Sequence, residues 1–581
     1  MRKILQIVEI DIDTCGRTFG VAPCGAVLSA SNPNKCYDTF QTCSFKSAFQ
    51  RQSMTLKFCE ASYPIKGGEY IPVLKSVGGY EQEVNIAGYN PNLGGIGRRA
   101  SVKVVLHDFP TRDTETDKYW SERISGAAQV GAGYDPIDRG SFWTKFKARN
   151  PNYAGRVLRV IQAHYNDAGG VVYDTIRTYV MDEIAGPDSS GESVTITAKD
   201  ILSLADNDKA MCPTPSPGRL LADITAEQTT VTLTPAGIGN AQYPASGWAT
   251  IGSEIVQFSR VNNVLTLVRG RSGTQAAQHS ANDTVQVAFR VERIRADIVI
   301  RNLLVNFGNV PASYINFAEW QSEFDRWGSK MLLSATICKP NSVTKLLSEI
   351  NQLGITLWWD EVAQRIRIKL NHPPDEPVSE WSDRNNIMSI KQEDNDDERV
   401  TQIDVWTVQI DPTKELATDN FLRGYLTVSA DSQSPNMFGL PRTKTIQTRW
   451  LNHGDDSAVK IIAGRLLNRY KRAPVTYTVT VDAKDDPSLT DVITLNTYLA
   501  TDITGLPTPK LMQVYYRADE KSGSTVKAKL QLFQFDARYG QIAPNNYPVY
   551  NQATPTQKIH GSFFVGTSLT FADGSPPYQL V

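Results

Sequence analysis

Five of the seven cysteines, Cys15, Cys24, Cys36, Cys43 and Cys59, fall within the first 59 residues of a 581-residue chain. A disulfide framework suits short exported domains, whereas five is an odd number and a chain this long has no need of cross-links. The opening MRKILQIVEIDID turns acidic around Ile12 with no small-residue cleavage site after it, so no signal peptide is read there. Folding in a reducing cytoplasm is therefore expected, and clustered reduced thiols point to metal ligation. The intervals are eight, eleven, six and fifteen residues, none of them the short knuckle of structural zinc sites. A cubane iron-sulfur cluster is larger than a single ion, and its four thiolates can come from two separate loops. On the residues alone, zinc and plain reduced thiols stay open beside it. Cys59, in the strand-like run MTLKFCEA, and the isolated Cys212 and Cys338 are read as buried thiols.

The segments DTCGRTFGVAPCG and KCYDTFQTCSFK resemble the two cysteine pairs of the minor tail protein L family of lambda-like phages. They also resemble the hub proteins of related siphophages and gene transfer agents. The resemblance implies that the C-x8-C pair Cys15 and Cys24 and the C-x6-C pair Cys36 and Cys43 hold a 4Fe-4S cluster, with zinc the alternative metal. It implies a structural tail-tip or baseplate hub of a long non-contractile-tailed phage, assembled in the host cytoplasm and carried in the virion. The implied architecture has two tail-tube-like β-barrels per subunit, so that a homotrimer presents six barrels to a six-fold tail tube. Implied partners are the distal tail protein ring, the tape-measure protein and the central fibre or receptor-binding tail proteins, with DNA present only in transit through the lumen.

Composition agrees with protein partners. Lys+Arg of 60 against Asp+Glu of 61 leaves a net charge of -1, without the electrostatic footprint of a nucleic-acid or anionic-membrane binder. No apolar run reaches the roughly 18 to 20 residues that span a bilayer, so no stable membrane insertion is expected. Short Val, Ile, Thr and Tyr runs broken by Gly, Pro, Asn and Asp make the chain mainly β with some α.

Six segments are read along the chain. Residues 1–65 form the iron-sulfur-binding segment. Residues 66–215 form the first barrel, its start overlapping a turn-rich stretch over 61–83; its DFP, RGSFW and ARNP segments carry further resemblance to tail hubs. CPTPSPGR, from Cys212, is an extended break before an inserted β module at 216–290. In the mixed middle domain, 291–385, Val343, Leu346, Leu347, Ile350 and Leu353 recur at helical spacing behind Asn341 or Ser342 as cap. ITLWWDEVAQRIRIKL then reads as a hairpin, and adjacent Trp358 and Trp359 must face opposite sides. Residues 386–540 form the second barrel, with a helix over 457–471; its acidic run KQEDNDDER reads as a solvated turn. Residues 541–581, rich in Pro, Asn, Gly and Tyr, are an extended tail reaching a neighbour.

No H-E-x-x-H, G-x-S-x-G or phosphate loop is present, and VRGRSGT at 268–274 lacks the Walker spacing. The six histidines are scattered singly. No enzymatic role is expected. The alternatives are a tail-associated peptidoglycan-cleaving enzyme built on two distant carboxylates, and an electron-transfer or redox iron-sulfur protein.

Overall fold

The computed structural model of the chain describes residues 5–65, 69–86, 96–187, 192–206, 210–394, 396–429, 440–454, 456–520 and 525–533, with short pieces at 552, 554, 564–565 and 570–571. Alternation of apolar residues shapes the first domain. Its strands are β1 (Leu5–Cys15), β2 (Arg51–Glu60), β3 (Ile71–Gly78), the two-residue β4 (Gln82–Glu83), β5 (Ser101–His107), β6 (Val157–Tyr165), β7 (Val171–Ala185) and β8 (Ser193–Lys199). In the order β1-β2-β3-β5-β8-β7-β6 they close a seven-stranded barrel, with Val8 opposite Val160 at the seam. Successive side chains of a strand face opposite sides, so Val102, Val104 and Leu106 on β5 all turn into the core. Between β5 and β6 the chain leaves the barrel to form α1 (Trp120–Ser125) and α2 (Phe142–Arg149). Helix α2 drives Phe142, Trp143 and Phe146 against Phe58 of β2, with the Phe58 and Trp143 rings 5.7 Å apart. Each aromatic ring withdrawn from water contributes roughly 2–3 kcal/mol.

Two sequence expectations are corrected here. Residues 1–65 are not a separate unit, because β1 and β2 are barrel strands and, of the described residues, only 16–50 and 61–65 stand outside them. Residues 61–83 are not merely turns, since β3 lies among them, paired in parallel with β2 and antiparallel with β5. Its polar Lys75 and Ser76 hide the strand pattern, and pairing on both edges supplies it.

After β9 (Met211–Cys212) come β10 (Arg219–Leu220), β11 (Thr230–Thr234), α3 (Ile238–Gln242), β12 (Ser246–Ile251), β13 (Glu254–Val261) and β14 (Val264–Arg271), which enclose a core of their own around Leu233, Ile251, Phe258 and Leu267. This is the small β module, and its two ends touch, because Val285 N donates to Gly218 O at 3.0 Å. Gly218 lies so close to Tyr243 that a Cβ would sit 2.4 Å from the phenol oxygen, which restricts the position to glycine. The module does not stop at 290. β15 (Val285–Arg295) runs on to pair with β16 (Leu332–Ile337) of the middle domain, welding the two units.

The middle domain adds α4 (Ala296–Asn302), α5 (Phe317–Trp327), β17 (Asn341–Ser342), α6 (Val343–Asn351), β18 (Ile355–Asp360) and β19 (Arg365–Leu370). The Ser342 hydroxyl accepts from Lys345 N at 3.3 Å and caps α6, whose Val343, Leu346, Leu347 and Ile350 are buried, as the spacing predicts. β18 and β19 form the expected hairpin, and both of its tryptophans are buried, Trp359 completely.

The last β domain contains β20 (Ser379–Ser382), β21 (Ile387–Asp394), β22 (Gln402–Gln409), β23 (Phe421–Val428), β24 (Thr443–Gln447), α7 (Ser457–Tyr470), β25 (Val475–Asp482), β26 (Val492–Asn496), β27 (Lys510–Glu520) and β28 (Thr525–Leu532). Its main sheet, in the order β20-β26-β27-β28-β25-β21 with β4 on the flank of β27, is a half-barrel; β23-β22-β24 forms a separate small sheet. The start of the acidic run belongs to β21, an open edge, and not to a turn. Apart from short pieces, the tail at 541–581 lies outside the described residues.

Buried charge fastens the three regions together. Arg177 on β7 and Arg517 on β27 share Asp486 and Asp519, and Arg517 Nη1 also donates to Glu361 at the hairpin turn at 2.9 Å. Beside them the Trp359 indole N–H donates to Thr178 O at 2.8 Å, and Gln82 Nε2 donates to Trp359 O at 2.7 Å. Groups this buried are tolerable only because each charge meets an opposite one.

Candidate functional site

The cysteine segment is an excursion between two barrel strands. Cys15 ends β1 opposite Arg51, which begins β2, and Gly16 N donates to Gln50 O at 2.8 Å, so both limbs leave the barrel at one point. The excursion then folds back, because Cys15 N donates to Asp38 O at 2.7 Å. Cys24 and Cys43 each close a tight turn, with their N–H groups donating to Val21 O at 2.9 Å and Phe40 O at 3.3 Å. Cys24 is buried, and Cys15, Cys36 and Cys43 are half-buried.

The loop between β5 and β6 fixes this segment from the other side. Lys118 Nζ donates to Cys15 O at 3.1 Å and Arg17 O at 2.6 Å, and pairs with the Asp38 carboxylate at 2.9 Å. Arg123 is fully buried in a 2.6 Å ion pair with Asp117. Its Nη2 donates to Cys36 O at 2.9 Å, and its guanidinium lies 3.7 Å from the Tyr37 ring centre. The Tyr119 hydroxyl accepts from Phe19 N at 2.7 Å. Lys118, Tyr119 and Arg123 therefore hold three successive parts of the excursion.

Burial pushes the Cys36 thiol up to about 11, with the Asp38 N–H and Lys118 working against that push and the Asp38 carboxylate and Cys43 adding to it. Among the described residues, no three Cys, His, Asp or Glu side chains come close enough to hold a metal ion. Thiols are the donors an iron-sulfur or zinc group takes, and Lys118 and Arg123 lie beside this excursion, but the described side chains are not gathered into a ligand set. Cys59, Cys212 and Cys338 lie elsewhere and are buried, as expected of core thiols; burial pushes Cys338 up to about 12.

Sequence reasoning named the four cysteines but missed Asp38, Asp117, Lys118 and Arg123. Within TRDTETDKYWSER the latter three look like any solvated charged stretch, and only the fold carries them to the cysteines.

No protein-family model matches the chain, and no curated protein does. Among solved structures, the chain is similar to a tail protein from Neisseria meningitidis at 11% identity and a TM-score of 0.36, over 79% of this chain and 94% of that one. It is also similar to the 43 kDa tail protein of prophage MuSo2 from Shewanella oneidensis at 11% identity and a TM-score of 0.32, over 79% and 97%. A prophage tail protein from Listeria monocytogenes aligns at 9% identity with a TM-score of 0.28, over 65% and 86%.

Proposed function

We propose that this chain is a structural hub at the tail tip of a long-tailed phage or phage-like particle, stabilised by a 4Fe-4S cluster on Cys15, Cys24, Cys36 and Cys43. The observation that carries this reading is the place of the cysteine pairs. A C-x8-C pair and a C-x6-C pair of the kind found in tail hubs stand on an excursion from a closed β-barrel, clamped by Lys118 and Arg123. Cys15, Cys24, Cys36 and Cys43 would hold the cluster, which when bound would cross-link four points of the excursion as disulfides do elsewhere. The chain's own residues set the fold around it: Lys118 ties the two limbs, and Arg123 positions the Cys36 turn. The role is mechanical and not catalytic. Three subunits form a ring that continues the tail tube and anchors the distal tail ring, tape-measure protein and fibres.

Protein purified without oxygen is expected to be brown, with about four irons per chain. Cys36→Ser or Cys43→Ser should abolish the colour, while Cys212→Ser and Cys338→Ser leave it. A colourless protein with one zinc per chain would replace the cluster with the alternative metal. Imaging of the particle should place three copies at the tail end; six copies, or a tail tip without the chain, would refute the hub.

A further inference from the structure

Beside the cysteine excursion, the rim of the first barrel holds a cavity of about 300 Å³ between the Cys36–Cys43 turn and the C-terminal end of α2. Three arginines line it, Arg51, Arg149 and Arg156, and Asp13 is the one carboxylate among its lining residues. Arg51 and Arg156 share Asp13, with Arg51 engaging it through Nε at 2.8 Å. Outside the lining, Asp113 is shared by Arg149 and Lys145 at 2.8 Å and 2.6 Å. Four cations thus answer to two carboxylates. Each guanidinium is a planar fork of five N–H donors, and these pairings leave most of that capacity unspent. Phe40 and Phe49, edge to face at 5.3 Å, wall the cavity, and Phe40 is about half exposed.

Farther along the chain the charge is reversed. Residues 393–398 carry Glu393, Asp394, Asp396, Asp397 and Glu398, the densest acidic run in the sequence. Lys391, Arg399 and Arg442 contact this run, and the Asp397 side chain is completely exposed. The run begins on β21, the open edge of the half-barrel, and Asp396 is anchored by Arg399 and Arg442. In a chain with a net charge of -1, the cavity and the run are local concentrations of opposite sign.

We infer that the arginine cavity receives the acidic run 393–398 of a second copy of this chain. Cavity and run are different surfaces, so the contact is head-to-tail, the kind that closes into a ring when the rotation permits. Carboxylates meeting unspent guanidinium forks would give charge-assisted bonds and fix orientation. The contact deepens the ring reading above and rests on it.

The test uses the full-length protein and a fluorescein-labelled peptide of residues 391–399, followed by fluorescence anisotropy. Binding should weaken at least tenfold with Arg51→Ala/Arg156→Ala, and equally when the peptide's acids are replaced by their amides. It should also fall as sodium chloride is raised, and Arg51→Lys/Arg156→Lys, which keeps both charges beside Asp13, controls for folding. No binding, undiminished binding to the alanine variant, equal binding of the amide peptide, or displacement by a single-stranded oligonucleotide in preference to unlabelled peptide would overturn it. A three-fold ring in the particle with no peptide binding would sink this contact and leave the hub standing; peptide binding with no ring would do the reverse.

Discussion

Arg123 Nε donates to Asp117 Oδ2 at 2.6 Å, and neither side chain has any exposure to solvent. The same guanidinium holds the carbonyl of Cys36. A buried ion pair contributes little over an apolar substitute, but removing one partner strands the other charge, at a cost of about 3–5 kcal/mol. Asp117→Ala should therefore destabilise the barrel domain by that order in urea unfolding. It should also expose residues 16–50 to protease before the barrel itself opens. Simultaneous loss of both, with no early cleavage, would show that the pair serves the barrel core alone.

Asp200, at the end of β8, is fully buried, and neither carboxylate oxygen receives a hydrogen bond. Burial raises its pKa from 3.8 to about 7, against the pull of Arg99. Between those values the unfolded chain gives up the proton and the folded chain keeps it, so Asp200 lowers stability as pH rises through that window. Asp200→Asn should remove this slope. Urea midpoints should show the variant gaining on the parent from pH 4 to pH 8, and parallel curves would refute the assignment.

Glu254 in the β module behaves in the opposite sense. Burial opposes its charge, but Arg269, His279 and the N–H groups of Gly270 and Ala277 prevail and hold it at about 2. Its contribution is full above the ordinary value near 4.5 and disappears as pH falls toward 2. Glu254→Gln should weaken the module at pH 7 and flatten its acid unfolding below pH 4.5, as followed by circular dichroism.

The hydrogen bond between Val285 N and Gly218 O brings the module's ends together at its neck. Deleting 219–284 and joining the flanks through two glycines should leave β15 on β16 and the remaining domains folded. The deletion protein should melt cooperatively; a broad, non-cooperative transition would show that the middle domain depends on the module core.

What could be read in the sequence followed distance along the chain. The face of α6 and the hairpin of β18 and β19 are local patterns, and both appear where the periodicity puts them. The strand β3 was hidden because its identity comes from partners on either side. At the candidate site the thiols were legible as a cluster of one residue type. The cations that hold them were not, since Lys118 reaches Cys15 across 103 positions and Arg123 reaches Cys36 across 87. Periodicity reports which face of an element is apolar and carries no information on which charged side chain will be buried beside which carbonyl.

The buried core of Val8, Ile10, Val102, Val104, Leu106 and Ile196, continued by the aromatic cluster of Phe58 and α2, makes the first barrel a solid stave and not a pipe. Nothing the size of a nucleic acid strand can travel along its axis. In any ring that conducts a genome, the bore must open between neighbouring staves, and its width would be set by how many stand in the circle and not by the radius of each. Loss of one subunit would then break the wall, whereas a cavity opened within a single barrel would soften one stave and leave the bore unchanged.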